Sequence, residues 1–166
     1  TDGNGDLWLF GGFGHDSTPT GNGPLNDLWK YDTGTGVWTW MGGSKLAKGN
    51  GIYGTQGTPA PANTPGARSY ASGWSDTSGN LYLFGGNGMS FTGTSIGLLN
   101  DLWKYDTVSG QWTWLKGVGT LKGAAIYGVK GIAANANTPG ARSAASAWTG
   151  RDGMFYLFGG SNNNDL

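Results

Sequence analysis

"LNDLWKYDT" runs from Leu25 to Thr33, and the same nine letters return at Leu99–Thr107, 74 residues further on. Shifting the chain by that distance aligns it on itself without a gap from Thr1 to about Gly86. "LWLFGG" (Leu7–Gly12) falls on "LYLFGG" (Leu81–Gly86), which falls in turn on "FYLFGG" (Phe155–Gly160). "VWTW" (Val37–Trp40) meets "QWTW" (Gln111–Trp114), "IYG" (Ile52–Gly54) meets Ile126–Gly128, and "ANTPGARS" (Ala62–Ser69) meets Ala136–Ser143. A period of this length makes the repeat the unit of folding, so it has to be found before any local structure is assigned.

The composition agrees with a chain of strands and turns. Glycine supplies 34 of 166 residues, several times its usual share of roughly 7%. Nine Trp, seven Tyr and six Phe accompany it, which excludes a disordered glycine-rich segment. Charged residues make up only 12% and balance to zero, so no basic field is available to hold nucleic acid or an anionic membrane. No apolar run approaches the roughly 18 residues of a membrane helix. Cysteine is absent, which excludes disulfides, thiol nucleophiles and thiolate metal sites. Low charge with Thr, Asn and aromatics suits an extracellular or cell-surface protein of bacterial type.

One period divides into four strand candidates. "ARSYASGW" (Ala67–Trp74) is small and weakly alternating, and "NLYLFGG" (Asn80–Gly86) ends in two glycines. In "NDLWKYD" (Asn100–Asp106) Trp103 and Tyr105 share a face, and in "QWTWL" (Gln111–Leu115) Trp112 and Trp114 do. Short turns join the first to the second and the third to the fourth, so these pairs are hairpins. No segment has helical periodicity. Four antiparallel strands running from small to bulky suit a blade of a β-propeller, whose innermost strand is crowded and whose outer strands diverge. Ala67–Trp74 and Ala141–Trp148 are therefore expected innermost, and the strands of Trp38/Trp40 and Trp112/Trp114 outermost. Burying one Trp removes roughly 150–250 Å² from water, about 4–6 kcal/mol by area, so the recurrent tryptophans read as packing between blades.

A strand ending in a double glycine ("LYLFGG"), then a Tyr ("WKYD") and a Trp ("WTW") seven residues later, resembles the kelch repeat. With "NDLWKYD", "GIYG" and "NTPGAR", the extended form is similar to bacterial multi-kelch proteins grouped with the galactose oxidase central domain. The resemblance implies an all-β propeller of six or seven four-stranded blades. The chain holds just over two: a partial blade (1–40, strands two to four), a crossover (41–65), a complete blade (66–115), a second crossover (116–139), and a partial blade (140–166) in which Asn164–Leu166 would open a third strand. Thirteen residues separate the double glycine from that strand in the first two copies, Phe13–Leu25 and Asn87–Leu99, and read as loop excursions. Two contexts remain open: a segment of a longer repetitive protein, or copies assembled head to tail, each supplying neighbouring blades.

Little of the chain carries chemistry. "DGNGD" (Asp2–Asp6) has the opening spacing of a calcium loop, but its copies, Asp76, Ser78, Asn80 and Gly150, Asp152, Met154, do not keep the set of carboxylates, so it reads as a hairpin turn. His15 is the only histidine and faces Met89 in the next copy, which leaves no zinc site or catalytic triad. The copper chemistry of galactose oxidase uses His and Tyr ligands and a Cys–Tyr crosslink, so that activity is not carried over. No cofactor or metal is expected, and no enzymatic activity. Asp27, Asp32, Asp101 and Asp106 recur at structural spacing.

The long connections, which differ most between copies, would emerge on one face, and binding residues tend to sit on such loops. His15, Asp16, Tyr53, Phe91 and Tyr127 are the candidates there, with Arg68 and Arg142 as possible channel-lining groups. The expected function is a non-catalytic binding or assembly scaffold with a protein or glycan partner on that face. The alternative is the propeller of a carbohydrate-active or copper oxidase enzyme whose catalytic residues lie outside the segment.

Overall fold

A computed structural model describes residues 1–93 and 95–162. The described residues form only β-structure: β1 (Leu7–His15), β2 (Asn22–Asp32), β3 (Val37–Gly42), β4 (Arg68–Ser69), β5 (Ser72–Ser75), β6 (Leu81–Phe84), β7 (Asn87–Met89), β8 (Ile96–Leu98), β9 (Leu102–Asp106), β10 (Gln111–Lys116), β11 (Ser146–Thr149) and β12 (Phe155–Phe158). The middle repeat makes a four-stranded antiparallel sheet, β5-β6-β9-β10, in which each strand pairs with the next. The first repeat supplies the three-stranded sheet β1-β2-β3 and the last the hairpin β11-β12. The small-residue strands β5 and β11 of neighbouring sheets lie against one another, while the tryptophan strand β10 forms the far edge of its sheet. This is the order of strands within a sheet expected from the gradient of side-chain size. The described residues do not close a ring.

The turns follow from aspartates placed to receive backbone N–H groups. Asp32 Oδ1 accepts from Gly34 and Thr35, and Asp106 Oδ1 from Val108 and Ser109, each closing the hairpin into its tryptophan strand. Asp2 accepts from the N–H groups of Asn4 and Asp6 and from Trp8 Nε1 at 2.8 Å, so "DGNGD" is a turn that fastens its own aromatic strand. Asp76 does the same with Ser78, Asn80 and the Tyr82 hydroxyl.

Two expectations are corrected. Ala67–Trp74 and Ala141–Trp148 are not single strands: Tyr70 and Ala144 take left-handed φ of 56° and 54° and break them. Arg68 and Ser69 before the break pair with Gly88 and Asn87, and Ser72–Ser75 beyond it pair with β6. Ser143 bridges to Ser161 in the same way. Nor are Phe13–Leu25 and Asn87–Leu99 plain loops. The first lengthens β1 and β2 as far as the pair His15–Asn22, and the second folds as the β7–β8 hairpin. Asn164–Leu166 lies outside the described residues.

Adjacent sheets meet through aromatic rings and glycines. Trp8 packs on Tyr105 at 5.6 Å between centroids and Phe10 on Trp112 at 5.4 Å, joining the first sheet to the second. Trp74 stacks on Phe155 at 5.6 Å, joining the second to the third. Such pairs add about 0.5–1.5 kcal/mol each beyond their area. Gly85 has φ +63°, and a Cβ there would lie 2.7 Å from the Arg142 carbonyl oxygen, so the double glycine lets the next repeat approach the backbone directly. Gly86 N–H donates to that carbonyl at 2.9 Å. Leu28, Leu83, Trp103, Tyr105 and Trp112 form the core between the first two sheets, and Tyr53 of the crossover joins them.

Candidate binding site

The aspartate of "NDLW" sits just before β9, where its side chain turns inward beneath the crossover segment. Asp101 is fully buried and receives four donors. Arg68 grips it with two parallel bonds, Nη1 to Oδ1 at 2.7 Å and Nη2 to Oδ2 at 2.8 Å. The Tyr53 hydroxyl donates to Oδ2 at 2.6 Å and Trp103 Nε1 to the same oxygen at 2.7 Å. Arg68 also donates from Nε to the Gly66 carbonyl and from Nη1 to the Gly85 carbonyl. Burial pushes the Asp101 carboxyl up, but the Arg68 charge and the three donor side chains outweigh it, so its pKa falls below the ordinary value. Burial likewise works against the Arg68 charge, and Asp101 reverses it and raises the pKa. For Tyr53, burial and then the Asp101 charge raise the pKa strongly. All three stay in their ordinary charge states at neutral pH, and the cluster fastens the crossover, β4 and β9 together.

Tyr53 is expected on the loop face and Arg68 lining a channel, and in the structure both are enclosed. Tyr53 packs its ring 4.8 Å from Trp103 and 5.2 Å from Trp114. Their burial beside Asp101 is explained by this cluster, because a buried charge requires a partner.

The other five candidates divide between exposed and committed groups. His15 is exposed at the end of β1. Asp16 accepts from the Ala47 N–H at 3.0 Å and from Thr18, bonds that hold its pKa below the usual carboxylate range and tie the β1–β2 arm to the crossover. Phe91 is half-exposed and meets Tyr53 edge-on at 6.2 Å. Tyr127 is 83% exposed, unlike its repeat partner Tyr53 at 7%. Arg142 repeats the carbonyl bonds of Arg68, from Nε to Gly140 and from Nη1 to Gly159.

Two cavities gather four of these residues, Phe91 excepted. Tyr127 and Arg142 wall an open cleft of about 460 Å³ with Gly159 and Gly160. His15 and Asp16 line a cavity of about 350 Å³ together with Asp27, Trp29 and Trp40. In the sequence these last three belong to the structural repeat, and only their partly open setting singles them out. Asp27 Oδ2 accepts from Trp29 Nε1 at 2.6 Å, and Lys45 Nζ lies 4.8 Å from the centre of the Trp40 ring. Among the described residues no cluster of three or more His, Cys, Asp or Glu side chains could hold a metal.

Residues 71–119 match the family model of the kelch motif, a span that begins just ahead of β5 and runs through β10, covering the whole four-stranded sheet. No curated protein matches the chain. The match supports a kelch-repeat protein, and kelch repeats are in general non-catalytic modules that commonly mediate protein–protein interaction. No helix among the described residues is long and apolar enough to cross a membrane.

Proposed function

We propose that the chain is a non-catalytic interaction scaffold, a segment of a larger secreted or cell-surface kelch propeller of bacterial type. Its face of hairpin arms and crossovers meets a protein or glycan partner. One observation carries this reading. The polar residues that recur with the repeat, such as Asp32, Asp101, Asp106 and Arg68, are committed to internal bonds, whereas the exposed aromatics Phe91 and Tyr127 stand on the connections. Arms and crossovers also support one another, through Ser17 N–H to the Lys45 carbonyl and Phe91 N–H to the Gly119 carbonyl, which makes a firm platform for contact.

The test is alanine substitution of Phe91 and Tyr127 together, against Val108→Ala on a short turn, with binding read on a polysaccharide array and by capture of surface proteins. The reading expects the double variant to weaken binding at least tenfold and Val108→Ala to leave it unchanged. The reverse pattern overturns it.

A further inference from the structure

The 74-residue period places Asp27, Trp29, Trp40 and Leu25 in correspondence with Asp101, Trp103, Trp114 and Leu99. In the second repeat the space between these side chains is filled by Tyr53, with its ring against both tryptophans and its hydroxyl on the carboxylate. In the first repeat the same walls surround the open cavity of about 350 Å³. The Asp27–Trp29 bond matches the Asp101–Trp103 bond in both partners and length, 2.6 and 2.7 Å, so each carboxylate is held by its tryptophan in the same way. We propose that this cavity is a tyrosine seat, filled by a crossover segment of the chain's own kind: an Ile-Tyr-Gly turn followed by an arginine fifteen residues after the tyrosine.

The chemistry fits that occupant on three counts. A phenol ring suits a slot between two indoles. Its hydroxyl supplies a donor to a carboxylate that accepts only Trp29 among the described side chains, and the arginine supplies the positive charge that Asp101 receives from Arg68. The edge of β1 away from β2 is also unpaired among the described residues, with Leu7 and Leu9 44% and 51% exposed. In the second repeat that edge belongs to β6 and is covered by β5, which directly follows the arginine in sequence. One segment would thus fill the seat and complete the sheet.

A second copy of the chain is the poorer occupant, although its Tyr127 is exposed in the same turn. It would bring β12 with it, and by the repeat β12 and β1 require the same place beside the following strand. Lys45 stands where Gly119 leaves room in the second repeat, so entry of the tyrosine displaces its ammonium from Trp40. The inference rests on the internal repeat and stands apart from the reading of the loop face, whose test does not touch Asp27.

The experiment is calorimetric titration of the intact chain with a peptide of the sequence of residues 51–75. The expected result is saturable one-to-one binding. Replacing the peptide's tyrosine by phenylalanine should weaken it at least tenfold, and so should Asp27→Asn in the protein. The phenylalanine peptide leaves the protein unaltered, so a folding defect of the variant cannot mimic the result. Absence of binding, or equal binding of the tyrosine and phenylalanine peptides, overturns the proposal. So does self-association of the chain that Tyr127→Ser and Asp27→Asn each abolish and that excludes the peptide, which would give the seat to a second copy.

Discussion

Asp101→Asn removes the negative charge from a pair in which both side chains are fully buried. Arg68 is then left as an unpaired guanidinium, and its remaining bonds to the carbonyls of Gly66 and Gly85 do not neutralise it. Breaking one partner of a buried pair costs about 3–5 kcal/mol, most of it the cost of the stranded charge. At roughly 2–4 °C per kcal/mol for a chain of this size, the melting temperature should fall by about 6–20 °C. The repeat supplies a control at the corresponding position. Asp27 is only half-buried and holds Trp29 alone, so Asp27→Asn weakens a single charge-assisted hydrogen bond, at a cost of about 1 kcal/mol or less and a few degrees. Thermal and urea unfolding, followed by tryptophan fluorescence, would compare the two. Equal losses for both variants would refute the argument, because the same substitution in the same motif would then be insensitive to what surrounds it.

The remaining predictions concern pH, glycine and the exposed rings. Asp101 titrates below its usual 3.8, so its stabilising contribution is complete above that value and is lost as pH falls through the lowered folded value; below pH 4, stability of Asp101→Asn should fall less steeply with acid than that of the wild type in melting scans. Gly85→Ala puts a Cβ against the Arg142 carbonyl in a left-handed backbone and should cost more than about 2 kcal/mol. Gly153→Ala, with φ +76° and open space around it, should cost only the conformational 1–2 kcal/mol, as urea midpoints would show. Tyr53→Phe should cost about 1.5–3 kcal/mol through the lost bond to a charged acceptor, whereas Tyr127→Ser should stay within about 0.5 kcal/mol in the same assay.

What the sequence made legible was whatever its period and alternation encode. Trp103, Trp112 and Tyr105 occupy the core because their spacing puts them on packed faces, and the aspartates at Asp32 and Asp106 close turns because they precede Gly- and Ser-containing tetrapeptides. The break at Tyr70 was not legible. A non-glycine residue in the left-handed region carries no compositional signal, and the alanines and serines around it suit either an unbroken strand or a corner. The burial of Tyr53 and Arg68 was hidden for another reason. Each is amphipathic or charged and reads as rim when taken singly, and the Asp101 that draws them inward lies 48 and 33 residues away. The available signal was that the tyrosine and the arginine recur together, fifteen residues apart, at Tyr53/Arg68 and Tyr127/Arg142. The Asp27 cavity was concealed because its motif is identical to one that is closed.

The left-handed corner at Tyr70 and Ala144 bears on the shape of any longer array. Its torsion differs by only two degrees between the two repeats, 56° against 54°, though one residue is a tyrosine and the other an alanine. The angle is therefore imposed by the bonds on either side, such as the Ala144 N–H to the Tyr70 carbonyl at 2.9 Å, which links one corner to the other. Corners linked in this way behave as voussoirs, the wedge-cut stones of an arch: each fixes the tilt of the next, and the bend accumulates in one direction instead of averaging out. A longer array of the same repeat would then carry one such joint per period, beside the aromatic and glycine contacts between its sheets, so that the corner sets how each repeat meets the next.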